Sequence, residues 1–216
     1  PRGAALTELA RDCFRARLYD RAEKLFLKLA DTGPEPAVAL AHLVRIHELQ
    51  HDWPQAVVAF ERLRSVGVPE QTIAIAHYHC EMAEGAIAEG ELTRACEHLH
   101  AARREQRNFG RSAILRGDVA RMQGDPALAL RLYRGIVRQD FLLLPLVLPR
   151  LVEVARQAGN AGAFDELLLE LLRRTDFHSV MIFTRTKMDA DRLFSAIQGD
   201  AEGHKVAVMH GDISQK

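Results

Sequence analysis

Alanines followed four residues later by a large apolar side chain recur at regular intervals along most of the chain. The four clearest copies are Ala22/Phe26, Ala56/Phe60, Ala95/Leu99 and Ala129/Tyr133. These alanines are 34, 39 and 34 residues apart, and a weaker copy, Ala163/Leu167, follows after another 34. Because residues four apart share one face of an α-helix, each copy predicts a helix with a small and a large residue turned to the same neighbour.

A period of 34 with this Ala-x-x-x-large element is typical of the tetratricopeptide repeat, in which each unit is two antiparallel helices. The alanine lies where two helices cross most closely, and the large residue fills the gap to the next unit. Gly90 and Gly124 are predicted to end helices in the left-handed conformation, and Asp52 and Asp125 to cap the helices that follow.

Two irregularities modify the repeat. The five extra residues before the third copy are expected to lengthen its first helix, within residues 72–89. Pro145 and Pro149 crowd the first helix of the fifth copy, which we expect to begin late, with Pro149 near its first turn, because an interior proline destabilises a helix by about 3 kcal/mol.

The sequence therefore predicts a mainly α fold, a tetratricopeptide-repeat α-solenoid of five helix pairs over residues 1–174. Such repeats bind peptides or proteins on a concave surface made mainly by the first helix of each pair. The polar residues predicted to project there are Arg11, Arg45, Glu48, His77, Glu84, Asp118 and Arg121. For each of them, the alternative is an ordinary solvated surface position.

After a junction at residues 175–178, the helical period gives way to a pattern typical of a small β-α-β fragment over residues 179–216. Apolar β-prone runs at 179–184 and 205–210 flank a helical pattern at 189–198. We expect the two runs to pair in parallel, with the helix across one face and the last repeat or a second chain on the other.

The charge balance and the cysteine content argue against some classes of protein. The 29 basic and 29 acidic residues balance, which argues against a protein that grips nucleic acid through a general basic field. Three cysteines without a Cys-x-x-Cys pair argue against a disulfide framework and favour a reducing, cytoplasmic setting. Because the sequence starts at Pro1 without a Met and stops at Lys216, we expect it to be a piece of a longer protein.

Several segments of the repeat region resemble the lipopolysaccharide assembly protein B family over residues 1–174. They are Leu9–Asp12, Leu18–Glu23, Trp53–Ala56, Ile75–Glu81 and Ile136–Asp140. The run Ile-Ala-His-Tyr-His-Cys-Glu at 75–81 is the most specific, because the generic repeat does not require it.

This resemblance implies a membrane-anchored cytoplasmic scaffold that ends in a rubredoxin-like metal module. It further implies that the scaffold restrains lipopolysaccharide synthesis by acting with the FtsH protease on the deacetylase of lipid A biosynthesis. The sequence given has neither an anchor helix nor cysteine pairs, so only the scaffold surface is expected here. Cys80 with His77 offers only two ligands on one helix face, whereas a closed zinc site needs four, so we expect no metal or cofactor.

Val180–Lys187 and His210–Gln215 resemble the second RecA-like domain of DEAD-box RNA helicases, around that family's motif IV. The resemblance implies RNA-backbone contacts from Thr184, Arg185, Gly211, Asp212 and Gln215. However, the chain contains neither a G-x-x-x-x-G-K-[ST] phosphate loop nor an Asp-Glu-Ala-Asp motif. We therefore expect no ATP hydrolysis and little RNA binding.

Two functional hypotheses follow. The first is a non-enzymatic protein-binding scaffold of the lipopolysaccharide assembly type, with self-association through the tail as a further possibility. The alternative is the inactive remnant of an RNA helicase. The chain reads as a chimera of the two, whether natural, engineered or artefactual.

Overall fold

The computed structural model describes residues 2–68, 72–159, 162–173, 180–199 and 205–209, and the regular structure within them is helical. The helices are α1 (Arg2–Arg15), α2 (Tyr19–Thr32), α3 (Pro36–Gln50), α4 (Trp53–Ser65), α5 (Thr72–Ala88), α6 (Leu92–Glu105), α7 (Gly110–Met122), α8 (Pro126–Gln139), α9 (Leu144–Gln157), α10 (Ala163–Leu172) and α11 (Lys187–Gln198), with a 3-10 turn at Phe141–Leu143 before α9. None of the helices within the described ranges is both long and apolar enough to cross a membrane.

The helices form two compact units, residues 1–125 and 126–216. In the first unit each helix packs on the next along the chain, from α1 to α7, and α5 also contacts α7. Buried side chains of α1 to α5 form one apolar cluster, and those of α5 to α7 form a second. In the second unit α8 packs on α9, while α10 contacts both α9 and α11.

The alanine-and-large pattern is confirmed in the four clearest copies. Each alanine is fully buried, and each large partner is at most 6% exposed. A side chain of one carbon at the helix crossing lets the backbones approach, which is the reason the pattern predicts the packing. The second helix of the fifth pair, α10, forms where the weaker copy predicts it, but the side chains of Ala163 and Leu167 are outside what the structure describes.

The predicted turn residues adopt the expected conformations. Gly90 and Gly124 have φ of 78° and 79°, in the left-handed region that favours glycine. The Asp52 carboxylate accepts a hydrogen bond from the backbone N–H of Gln55 at 3.2 Å, so it caps α4. His51 takes the same left-handed conformation one residue earlier, with φ of 57°, and ends α3. The helix cap predicted at Asp125, before α8, stays a prediction.

The two irregularities have different outcomes. The third repeat begins with a longer first helix, as predicted, since α5 has 17 residues and α3 has 15. The late start expected for α9 is wrong, because the helix begins at Leu144 and contains Pro149. Pro145 lies in the first turn, where its missing N–H is not needed. Pro149 deprives only the carbonyl of Pro145 of a partner, so the disruption stays in the first turn.

The β-α-β expectation is wrong in its strands. Residues 180–184 and 205–209 carry no strand, whereas α11 forms as predicted and starts two residues earlier, at Lys187. Two short strands alone would leave both edges and one face open. Met181, Phe183 and Met209 are 79%, 86% and 81% exposed here. The junction at 175–178 lies in a segment without description.

The tail nevertheless contacts the helix before it, α10. An ion pair joins Arg192 of α11 to Asp165 of α10 at 3.4 Å. Both extended segments, together with α11 and Leu172, line a cavity of about 670 Å³. The proposed boundary between repeats and tail stays a prediction.

Candidate functional site

A line of polar side chains crosses three first helices of the repeat pairs, α3, α5 and α7. It begins on α3, where Arg45 and Glu48 form an ion pair at 3.0 Å one turn apart. The other Glu48 oxygen accepts a hydrogen bond of 2.6 Å from the Tyr78 hydroxyl of α5. Burial raises the pKa of Tyr78, and the hydrogen bond and charge of Glu48 raise it further, so this hydroxyl stays protonated and keeps donating.

Arg111 of α7 continues the line by binding three side chains of α5. Its Nη1 lies 2.7 Å from Glu81 Oε1 and 2.8 Å from His77 Nδ1, and its Nη2 lies 2.9 Å from Glu84 Oε1. Burial alone would lower the pKa of Arg111, but the hydrogen bonds that it donates to Glu81 and Glu84 leave the pKa raised. The guanidinium is therefore a fixed positive charge between the two helices.

The same contacts assign the proton on His77. An arginine has only donors, so Arg111 donates to His77 Nδ1, and that nitrogen is the acceptor of the neutral ring. The ring hydrogen is then on Nε2, which lies 3.5 Å from Glu81 Oε1. The interaction leaves nearly half of the His77 side chain exposed.

We call these residues the polar ladder: Arg45, Glu48, His77, Tyr78, Glu81, Glu84 and Arg111. An aromatic cluster supports it from α4. The Trp53 ring stacks on Tyr78, with centroids 5.8 Å apart and an interplanar angle of 18°, and meets His77 edge-on at 6.3 Å. These contacts restrict the rotamers of two ladder residues before any partner binds.

The ladder is suited to binding rather than to holding a reactive group. Arg45 is 60% exposed and Glu84 is 45% exposed, so each can still bind a charged or backbone group of another molecule. Their positions are already set by the pairs they make within the protein, which lowers the entropy lost when a partner binds.

The structure joins four of the seven predicted groove residues into the ladder, namely Arg45, Glu48, His77 and Glu84. Arg11 instead pairs with Glu8 of its own helix at 2.9 Å. Its charge is the second cause, after burial, of the lowered pKa of His42, which places Arg11 near α3. Asp118 and Arg121 lie almost one turn apart on α7, both partly buried. Their roles in binding stay predictions.

Three ladder residues were missed by the sequence analysis: Tyr78, Glu81 and Arg111. Arg111 lies 34 residues after His77, so the repeat period itself places it at the equivalent position on the next first helix. Glu81 lies four residues after His77 and therefore on the same helix face. Tyr78 carried no such signal, because an aromatic residue in a repeat is usually part of the core, and this one is 2% exposed.

Cys80 is buried in the apolar cluster of α5 to α7, where it packs as a small hydrophobic residue. Burial raises the pKa of its thiol to about 12, so it is neither a thiolate nucleophile nor a ready metal ligand. His79 points elsewhere and lies beside His98 of α6, with ring centroids 5.9 Å apart. Burial first, and then the neighbouring charge of His98, lowers the pKa of His79. Within the described ranges, no three His, Cys, Asp or Glu side chains form a cluster that could hold a metal.

Two of the residues proposed for RNA contact are described, Thr184 and Arg185, and both are exposed before α11. The Thr184 hydroxyl donates to the backbone carbonyl of Thr186, whose side chain accepts from the N–H of Asp189 and caps α11. Thr184 thus has a local structural role at the start of a helix. Gly211, Asp212 and Gln215 fall outside the described residues, and RNA contact by this set stays a prediction.

Comparison with known proteins shows which sequences the repeat region is similar to. No protein-family model matches the chain. Lipopolysaccharide assembly protein B of Escherichia coli K12 is 32% identical over 164 residues, which cover 76% of this chain and 42% of that protein. The Haemophilus influenzae protein of the same name is 27% identical over 147 residues, covering 66% of this chain and 37% of its own length. The chain thus spans less than half the length of these curated relatives.

Solved structures align more weakly. The crystal structure of MamA protein is 11% identical in sequence and aligns with a TM-score of 0.49. The alignment covers 84% of this chain and 98% of the MamA chain. The crystal structure of YrrB, titled a TPR protein with an unusual peptide-binding site, is 14% identical, with coverage of 82% and 88% and a TM-score of 0.46. Neither likeness carries a functional inference. What the sequence comparison establishes is that three quarters of this chain are similar to lipopolysaccharide assembly protein B.

Proposed function

We propose that this chain is a non-enzymatic, protein-binding repeat scaffold that acts in the regulation of lipopolysaccharide assembly. The observation that carries the proposal is the polar ladder on α3, α5 and α7. It fixes charged and hydrogen-bonding groups of three successive repeats along one line while leaving several of them accessible. The similarity to lipopolysaccharide assembly protein B supplies the process.

The partners we propose are the FtsH membrane protease and the deacetylase of lipid A biosynthesis, bound at the cytoplasmic face of the inner membrane. An extended segment of either protein can lie along the ladder and pair its backbone and charged groups with Arg45, His77 and Glu84. Binding then presents one partner to the other, so that the scaffold contributes proximity rather than chemistry.

Site-specific photo-crosslinking in bacterial cells tests this proposal. A photoreactive benzoylphenylalanine replaces Glu84 on α5, or Val58, which is 51% exposed on α4 and outside the ladder. We expect position 84 to crosslink to the protease or the deacetylase, detected by immunoblot, and position 58 to give neither product.

Comparing the two variants controls for expression level and for nonspecific crosslinking, because both positions are exposed on helices of the same unit. Binding through the ladder would be refuted if only position 58 gave crosslinks to these partners. It would also be refuted if position 84 gave none while the protein is folded and abundant.

A further inference from the structure

Two arginines face each other across the antiparallel helices α6 and α7. The register is given by Gln123, whose Nε2 lies 3.9 Å from the sulfur of Cys96. Arg103 follows Cys96 by seven residues, and Arg116 precedes Gln123 by seven, so each lies two turns from this contact on the same face. In an antiparallel pair, this places Arg103 opposite Arg116.

Within the described ranges neither arginine pairs with a carboxylate, which distinguishes the two from the arginines at other helix contacts. Arg62 pairs with Asp31, Arg64 with Glu105, and Arg111 with Glu81 and Glu84. Among the described residues, Arg103 and Arg116 make no ion pair. Burial, followed by the charge of Arg103, lowers the pKa of Arg116, whereas carboxylates raise that of Arg111. The two like charges repel each other where the partly buried Arg116 lies opposite the exposed Arg103.

The surroundings of the pair are basic although the chain is neutral. Residues 92–122 contain seven arginines and three acidic residues. Two of the arginines, Arg94 and Arg111, pair with glutamates that precede this stretch. One of the three acidic residues, Glu105, is already bound by Arg64 at 2.7 Å. Arg107 is exposed in the loop between α6 and α7 and, in the described part of the chain, forms no ion pair. An anion approaching this seam meets three arginines, Arg103, Arg107 and Arg116, that form no ion pair with any described residue.

We propose that Arg103 and Arg116 form a carboxylate-binding site that docks an acidic, Glu- and Asp-rich segment of a partner protein. Two opposed guanidinium forks can each bind a carboxylate through paired N–H donors, and the ligand's negative charge removes their mutual repulsion. The loop arginine extends the same field along the segment. The site shares no residue with the polar ladder and does not depend on it.

Fluorescence anisotropy with a fluorescein-labelled hexaglutamate peptide tests the site on the intact chain at low salt. We expect the double variant Arg103→Gln/Arg116→Gln to bind the peptide at least about tenfold more weakly than the native chain. The matched control, Arg62→Gln/Arg94→Gln, removes two exposed arginines that already pair with Asp31 and Glu89. It should keep the native affinity within about twofold.

Thermal unfolding provides the second readout. Because the double variant loses a repulsion, it should unfold at the same or a higher temperature than the native chain, and hexaglutamate should raise the unfolding temperature of the native chain alone. Equal peptide affinity in the two double variants would overturn the proposal. So would tighter binding of labelled polyuridylate RNA through the same two arginines, since that result would identify a phosphate ligand.

Discussion

Phe26→Ala is expected to reduce the free energy of unfolding of the first unit by about 3–5 kcal/mol. Phe26 is 1% exposed, and its ring stacks on His42 of α3 with centroids 4.4 Å apart and an interplanar angle of 13°. Removing the ring takes away its apolar burial and leaves a cavity between α2 and α3. Urea denaturation followed by circular dichroism measures the change.

The control for this substitution is Leu27→Ala, at the next position of the same helix. Leu27 is 38% exposed, so its removal should cost about 1 kcal/mol or less. Equal losses from the two variants would mean that the large residue of the repeat element does not face the neighbouring helix, and the assigned register would be wrong.

Ala56→Leu is expected to destabilise the same unit by about 1–3 kcal/mol, for the opposite reason. Ala56 is fully buried in α4, where it belongs to the apolar cluster of α1 to α5. Three further carbons at this close crossing must push the helices apart or force strained rotamers. The same urea titration reports the loss.

Val58→Leu serves as the comparison because it also introduces leucine into α4, at a position that is 51% exposed. It should leave the unfolding free energy within about 0.5 kcal/mol of the native value. A neutral Ala56→Leu would show that the small residue is not needed at the crossing, and would remove the physical basis of the repeat assignment.

The repeat helices could be predicted from the sequence because two independent spacings, one within a helix and one between repeats, indicate the same positions. The spacing of four pairs Ala22 with Phe26 and Ala129 with Tyr133, and a spacing of 34 links Ala22 to Ala56; all five residues are buried. Local chemistry was equally informative at Asp52, whose carboxylate caps α4. In such places, local preference and tertiary packing agree.

The errors arose where local preference had no tertiary support. The β-prone run at 180–183 lacks neighbouring strands to complete a sheet, and propensity alone does not form one. The sequence predicts that the helix starts near Pro149, but it starts at Leu144 and Pro145 lies in its first turn. These outcomes depend on what packs against a segment, which a single sequence does not state.

The ladder was only partly predictable for a related reason. Positions on the first helices could be selected from the helical period, which identified Glu48, His77 and Glu84. The residues that connect them, Tyr78 and Arg111, are defined by contacts across helices rather than by spacing within one. The repeat period pointed to Arg111, because it occupies the position of His77 in the next repeat.

A single competition experiment shows whether this chain works by binding protein. The intact chain, immobilised at physiological salt, is offered detergent-solubilised bacterial membrane proteins together with a labelled RNA. If the chain binds protein, FtsH protease or the lipid A deacetylase is retained and the RNA passes through. Retention of RNA, with neither of those proteins bound, would contradict this function.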